Sequence, residues 1–80
     1  MSSFDNTIMK SKRNEILGAN IKAERNRRRL SQFLLAEKID VSESTISLIE
    51  RGIQTPSIFL VFDISKVLNI NINELLKDIN

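Results

Sequence analysis

Residues 31–52 read S-Q-F-L-L-A-E-K-I-D-V-S-E-S-T-I-S-L-I-E-R-G, and the order of small, apolar and turn-forming residues in this stretch decides the fold. Ser31 reads as an N-cap, because its hydroxyl can accept from a first-turn N–H that has no partner inside the helix. A helix follows over 32–39, with Leu35, Ala36 and Ile39 on one face. Asp40-Val41 leaves room only for a tight turn, and Asp is among the few non-glycine residues that tolerate left-handed backbone. Ser42 caps the next helix and Gly52 closes it.

Two helices joined this closely must cross steeply. Such a helix-turn-helix needs a small residue where the second helix passes over the first, and apolar residues at fixed steps to lock the crossing. Ala36 is the small residue and Asp40 the turn residue. Leu35, Ile39, Val41, Ile46 and Ile49 fill the locking positions.

Outward from this pair the chain stays helical. From Arg13 onward, Ile16, Leu17, Ala19, Ile21 and Ala23 give a broken helical stripe. The run Arg27-Arg28-Arg29 falls at the negative end of that helix's dipole. Residues 53–55 form a loop, Pro56-Ser57 opens a fourth helix over 58–68, and Asn69 can take a left-handed cap. Asn71, with Glu74 three residues on, gives a capping-box pattern for a fifth helix over 72–79. No segment alternates with period two and no internal repeat is present. The expected class is all-α: five short helices over residues 13–80, with residues 1–12 an N-terminal arm or helix extension.

Composition limits what such a domain can do. Eighty residues, 41% hydrophobic and 28% charged, make one globular unit with a single small core. There is no His and no Cys. The usual general base, metal ligand and strongest nucleophile are therefore missing, and no metal site or disulfide is expected. Two glycines cannot build a phosphate-cradling loop. The expectation is a protein that is not an enzyme and uses no cofactor. No apolar run approaches the roughly 20 residues that span a bilayer, and the N-terminus lacks a signal-peptide pattern, so a cytoplasmic location is expected.

Net charge is only +2, but it is unevenly spread. Lys10, Lys12, Arg13, Lys22, Arg25, Arg27, Arg28 and Arg29 lie in the first 30 residues, while Glu37, Asp40, Glu43 and Glu50 gather in the middle. A basic concentration of this kind suits a polyanion.

With these residues in place, a family resemblance emerges. Residues 21–52, I-K-A-E-R-N-R-R-R-L-S-Q-F-L-L-A-E-K-I-D-V-S-E-S-T-I-S-L-I-E-R-G, continue through T-P-S at 55–57 to N-I-N-I-N-E-L-L at 69–76. This resembles the phage repressor and Cro type of helix-turn-helix domain, whose bacterial relatives include restriction–modification controller proteins and small xenobiotic-response-element-like regulators. The resemblance covers about residues 16–76. Its most specific words are S-Q-x-x-L-A at 31–36, I-E-R-G at 49–52, and Pro56. Arg29 departs from it, standing where the family often has glycine, and Ser65 stands where a small apolar residue is usual.

The resemblance implies a bacterial or phage-encoded regulator that binds double-stranded DNA through helices 2 and 3, residues 32–51. It implies that Gln32 holds a phosphate, with Arg27, Arg28 and Arg29 beside it and Ser42 in the same phosphate-contacting set. It also implies an ion pair between Arg25 and Glu50 that is structural, not DNA-reading. With Ile46 and Ile49 turned inward, the opposite face of the third helix carries Glu43, Ser44, Ser47, Leu48 and Arg51. That face is expected to read bases in the major groove. Leu75, Leu76 and Ile79 on the last helix are expected to join two subunits, setting two recognition helices on a near-palindromic operator. A second reading takes the exposed Phe33 and Phe59 as the contact for a protein partner, as in an antitoxin built on the same fold.

Overall fold

The computed structural model describes residues 11–80, which form five helices and no strand. They are α1 (Lys12–Arg27), α2 (Gln32–Lys38), α3 (Glu43–Glu50), α4 (Ile58–Leu68) and α5 (Ile72–Leu76). The expected arm over 1–12 falls outside the described residues up to position 10. Ser11 then caps α1 and Lys12 begins it.

Every helix opens on a side-chain oxygen that accepts one of its orphan N–H groups. Ser11 accepts from Asn14 N at 3.4 Å, Ser31 from Leu34 N at 3.0 Å, Ser42 from Thr45 N at 3.1 Å and Ser57 from Leu60 N at 3.1 Å. Asn71 opens α5 by accepting from Asn73 N at 2.8 Å, and this bond replaces the reciprocal box with Glu74 that its spacing suggests.

The first four helices also close alike. A residue with positive φ follows the last turn: Arg29 (55°), Asp40 (58°), Gly52 (78°) and Asn69 (57°). The next N–H then reaches back five residues, from Leu30 to Arg25 O, Val41 to Ala36 O, Ile53 to Leu48 O and Ile70 to Ser65 O, at 2.9–3.2 Å. This is the Schellman arrangement, in which the apolar residue after the turn folds back on the helix it has left. Leu30, Val41 and Ile70 pack against the core in this way, whereas Ile53 stays 52% exposed.

The core is built from Leu17, Ile21, Leu35, Ala36, Ile46, Ile49, Val61, Ile64, Leu68 and Leu75. Ala36 is buried where α2 and α3 cross, with Ile39 and Val41 half-buried at the turn. The α1 stripe is narrower than its sequence suggests, since Ala19 and Ala23 are exposed while Gly18, Glu24 and Arg25 take buried positions. Gly18 is there because α1 crosses the end of α3 at backbone contact. A Cβ at this position would lie 2.6 Å from the Glu50 carbonyl oxygen and closer still to that of Ile49.

The last helix is shorter than expected, ending at Leu76 instead of Ile79. Asn20 Nδ2 on α1 donates to the carbonyls of Leu75 (3.0 Å) and Lys77 (2.9 Å), and Asp78 turns to φ 65°. The Leu75 carbonyl is the acceptor that the Ile79 N–H would have used in a longer helix. No helix among the described residues is long and apolar enough to cross a membrane.

Candidate nucleic-acid interface

α3 presents a shallow polar face. Its buried side is Ile46, Ile49 and Glu50, which leaves Glu43 and Ser44 exposed, Ser47 and Leu48 half-buried, and Arg51 exposed at the C-cap. The five expected base-reading residues therefore share one accessible side of one helix. Ser42 is committed to the cap: its Oγ lies 2.9 Å from Thr45 Oγ1 and also accepts from Thr45 N.

Glu50 organises what lies behind this face. Its Oε2 accepts from Arg25 Nε at 2.6 Å, and its Oε1 accepts from Arg25 Nη2 and from Gln32 Nε2, both at 2.9 Å. Arg25 Nη1 donates to Leu30 O at 2.7 Å. Both charged groups are buried, and the two-pronged geometry with extra donors is what lets such a pair stand without water. One carboxylate thus links α1, the N-terminus of α2 and the end of α3. Gln32, half-buried, is the first residue of α2 and uses one amide hydrogen on Glu50, and a helix N-terminus of this kind suits an anion.

The arginine run divides into separate roles. Arg28 Nε donates to Leu68 O at 2.6 Å, and its Nη1 donates to Glu24 O (2.7 Å) and Glu24 Oε1 (2.9 Å), so it ties the end of α1 to the end of α4. Arg27 Nη1 donates to Glu24 Oε2 at 2.7 Å. Arg29 is exposed, and its side chain makes no hydrogen bond or ion pair among the described residues. Glu24 is buried beneath Arg27 and Arg28. The hydrogen bond from Arg28, with the charges of Arg27, Arg28 and Lys77, holds its carboxyl below the usual glutamate value against the opposing pull of burial.

The residues expected to join subunits lie mostly inside the protomer. Leu75 is completely buried, and Leu76 and Ile79 are half-buried against the same core. Among the described residues, the large apolar side chains left outside are Phe33, Leu34, Ile53, Ile58, Phe59 and Phe62. Phe33 and Leu34 follow Gln32 on the outer side of α2, and nothing in the structure explains their exposure. No group of three or more acidic, His or Cys side chains able to hold a metal occurs among the described residues.

Sequence reasoning missed three contributors to this geometry. Gly18 sets the approach of α1 to α3, Glu24 binds two of the three arginines, and Asn20 stops α5. A glycine in the middle of a helix was the one available signal, since such a residue usually marks a close approach.

The Helix-turn-helix family matches residues 21–75 of the chain. Among solved structures, the chain is similar to the clp gene regulator ClgR from Corynebacterium glutamicum, at 25% identity, over 89% of this chain and 76% of that one, with a TM-score of 0.82. It is similar to the restriction–modification controller protein C.AhdI from Aeromonas hydrophila, at 26% identity, over 78% and 94% of the two chains, with a TM-score of 0.75. It also resembles SinR from Bacillus subtilis, the master regulator for biofilm formation, solved in complex with DNA. There the identity is 39%, over 76% of this chain and 98% of that one, with a TM-score of 0.72. A search of curated proteins gives no match.

Proposed function

The chain belongs to the Cro/C1-type helix-turn-helix family and is a DNA-binding transcriptional regulator, and from that premise we propose that it binds a near-palindromic operator as a dimer, acting as a repressor or controller in the cytoplasm. The observation that carries this reading is the α2–α3 arrangement. The open face of α3 lies beside a helix N-terminus whose first side chain is pinned to the last residue of α3.

In this reading α3 enters the major groove by its N-terminal end. Glu43 accepts from a cytosine amino group, Ser44 and Ser47 bond base edges, Leu48 packs on a thymine methyl, and Arg51 reaches the far end of the half-site. Small hydroxyls let the helix sit deep. Gln32 and Arg29 hold phosphates, with Arg27 at the edge, and fix the register in which α3 reads. Two protomers would set their α3 helices about 34 Å apart, one turn of the duplex.

The experiment is selection of sites from random duplex DNA, followed by titration of the winner across salt. The expected result is a two-fold symmetric sequence with half-sites about 10 bp apart, and affinity that falls steeply with salt. An unselected pool with weak, featureless binding would refute base reading by α3. Replacing Glu43, Ser44 and Leu48 by alanine should abolish operator choice while the circular dichroism spectrum stays unchanged.

A further inference from the structure

α4 has two faces of different character. Val61, Ile64, Ser65 and Leu68 are buried in the core, with Ser65 Oγ satisfied by Phe62 O at 2.6 Å. Opposite them run Phe59, Phe62, Asp63 and Lys66, with Val67 at the margin, half-buried against the core. Their spacing is i, i+3, i+4, i+7, i+8, that of a helix face made to pack on another helix. Phe59 is 78% exposed and Phe62 49%, and Asp63 and Lys66, exposed, continue the stripe toward the C-terminal end of the helix. One such ring on a surface is ordinary, and two on one helix face make a surface suited to a partner.

We propose that a second copy of this chain covers the stripe, with α4 lying antiparallel to α4 about a two-fold axis that runs between the two helices at the level of residues 64 and 65. This deepens the dimer reading above and rests on it. The argument is self-complementarity. When the stripe is read in both directions from that axis, Asp63 meets Lys66 of the other copy and Phe62 meets Val67, each pair formed twice by symmetry. An isologous contact requires a surface that matches itself in this way, whereas a stripe shaped for an unrelated protein has no reason to.

The surroundings fit the same occupant. Between α4 and the turn end of α2 lies a groove of about 430 Å³, walled by Phe62, Asp63, Lys66 and Val67 on one side and Lys38, Ile39 and Asp40 on the other. Its two lysines and two aspartates balance, so neither sign repels a second copy. Lys66 Nζ sits 5.5 Å from the centre of the Phe62 ring, at the edge of the stripe where a facing carboxylate would arrive. The two exposed rings supply roughly 200–300 Å² per copy. They flank the charged pairs at the axis, within an interface whose usual size is about 800 Å² per partner. The rival surface, α5, has its principal apolar residue, Leu75, sealed in the core.

The test is charge reversal read by sedimentation equilibrium at micromolar concentration. The wild-type chain should dimerise. Asp63→Lys and Lys66→Asp, each giving two like charges that face two like charges, should each raise the dimer dissociation constant at least tenfold. An equimolar mixture of the two variants should dimerise again, because each chain then meets the opposite sign. Both sites are exposed and off the α3 face, so single half-site DNA binding should persist and report that the variants are folded. Variants that dimerise as the wild type does would overturn the α4 assignment and leave the dimer reading standing on another surface. So would singly weakened variants whose mixture fails to reassociate. A wild-type chain that is monomeric both free and on its operator would overturn the dimer reading itself.

Discussion

Gln32 Nε2 donates to Glu50 Oε1 at 2.9 Å, so the first residue of α2 is tied to the last residue of α3 by the same carboxylate that neutralises Arg25. The two helices assigned to DNA are therefore registered against each other by one acid.

Removing that acid leaves a buried guanidinium with no counter-charge. Glu50→Ala is expected to cost about 3–5 kcal/mol, against a total stability of about 4–12 kcal/mol for a domain of this size. Replacing both Arg25 and Glu50 by methionine should return most of the loss, because an apolar pair of similar volume carries no desolvation cost. Urea unfolding of the three proteins measures both values. A single-variant loss below about 1 kcal/mol would mean that water screens the pair.

Arg29 places a long side chain at φ 55°, where the Cβ crowds its own carbonyl. Arg29→Gly should raise stability by about 0.5–1 kcal/mol, the relief of strain less the added entropy of the unfolded chain. That corresponds to an upward shift in Tm of roughly 2–8 °C. If Arg29 holds a phosphate, the same variant should bind all sequences more weakly and lower the slope of log affinity against log salt by about 1. Stability and binding would then move in opposite directions.

Gly18→Ala should behave against helix propensity. Alanine favours a helix interior by about 1 kcal/mol over glycine. Here, however, its methyl would enter the space of the Ile49 and Glu50 carbonyls, which cannot rotate away as a side chain can. A net loss of at least about 1–3 kcal/mol is expected, measured by thermal melting. A more stable variant would show that α1 can lift off α3 without penalty.

Glu24 gives the acid limb of the stability curve a local cause. Its carboxyl is held below the ordinary value in the folded state, first by the Arg28 hydrogen bond and then by neighbouring cations. The unfolded chain therefore takes up this proton at a higher pH than the folded one. The stabilisation is complete above the ordinary glutamate value of the unfolded chain and fades as pH falls through the lower folded value. Tm measured between pH 7 and pH 2.5 should drop on this limb, and Glu24→Gln should flatten the drop while lowering stability at neutral pH.

Much of the fold was legible because it is written locally. Ser31, Ser42, Ser57 and Asn71 each act on a backbone group two or three residues away, and Asp40, Gly52 and Asn69 each end a helix within its own last turn. The open face of α3 followed from the period of its buried isoleucines. What sequence could not supply lies between segments far apart in the chain. The Asn20 side chain that stops α5 is 55 residues from Leu75, and the Leu68 carbonyl that occupies Arg28 is 40 residues away. A run of three arginines looks uniform in sequence, and only the fold separates the clamp at Arg28 from the exposed cation at Arg29. In the same way, Leu75 and Phe59 are equally apolar as letters, yet one is sealed in the core and the other stands out in solvent.

The four helix ends that fold back within six residues also bear on how quickly the protein becomes usable. Helical domains whose contacts are mostly near in sequence fold in microseconds to milliseconds. Translation at about 5–20 residues per second needs roughly 4–16 s for a chain of this length. Folding would then add almost nothing to the interval between message and working regulator. The response time of any circuit that uses this protein would be set by how fast the chain is made and removed.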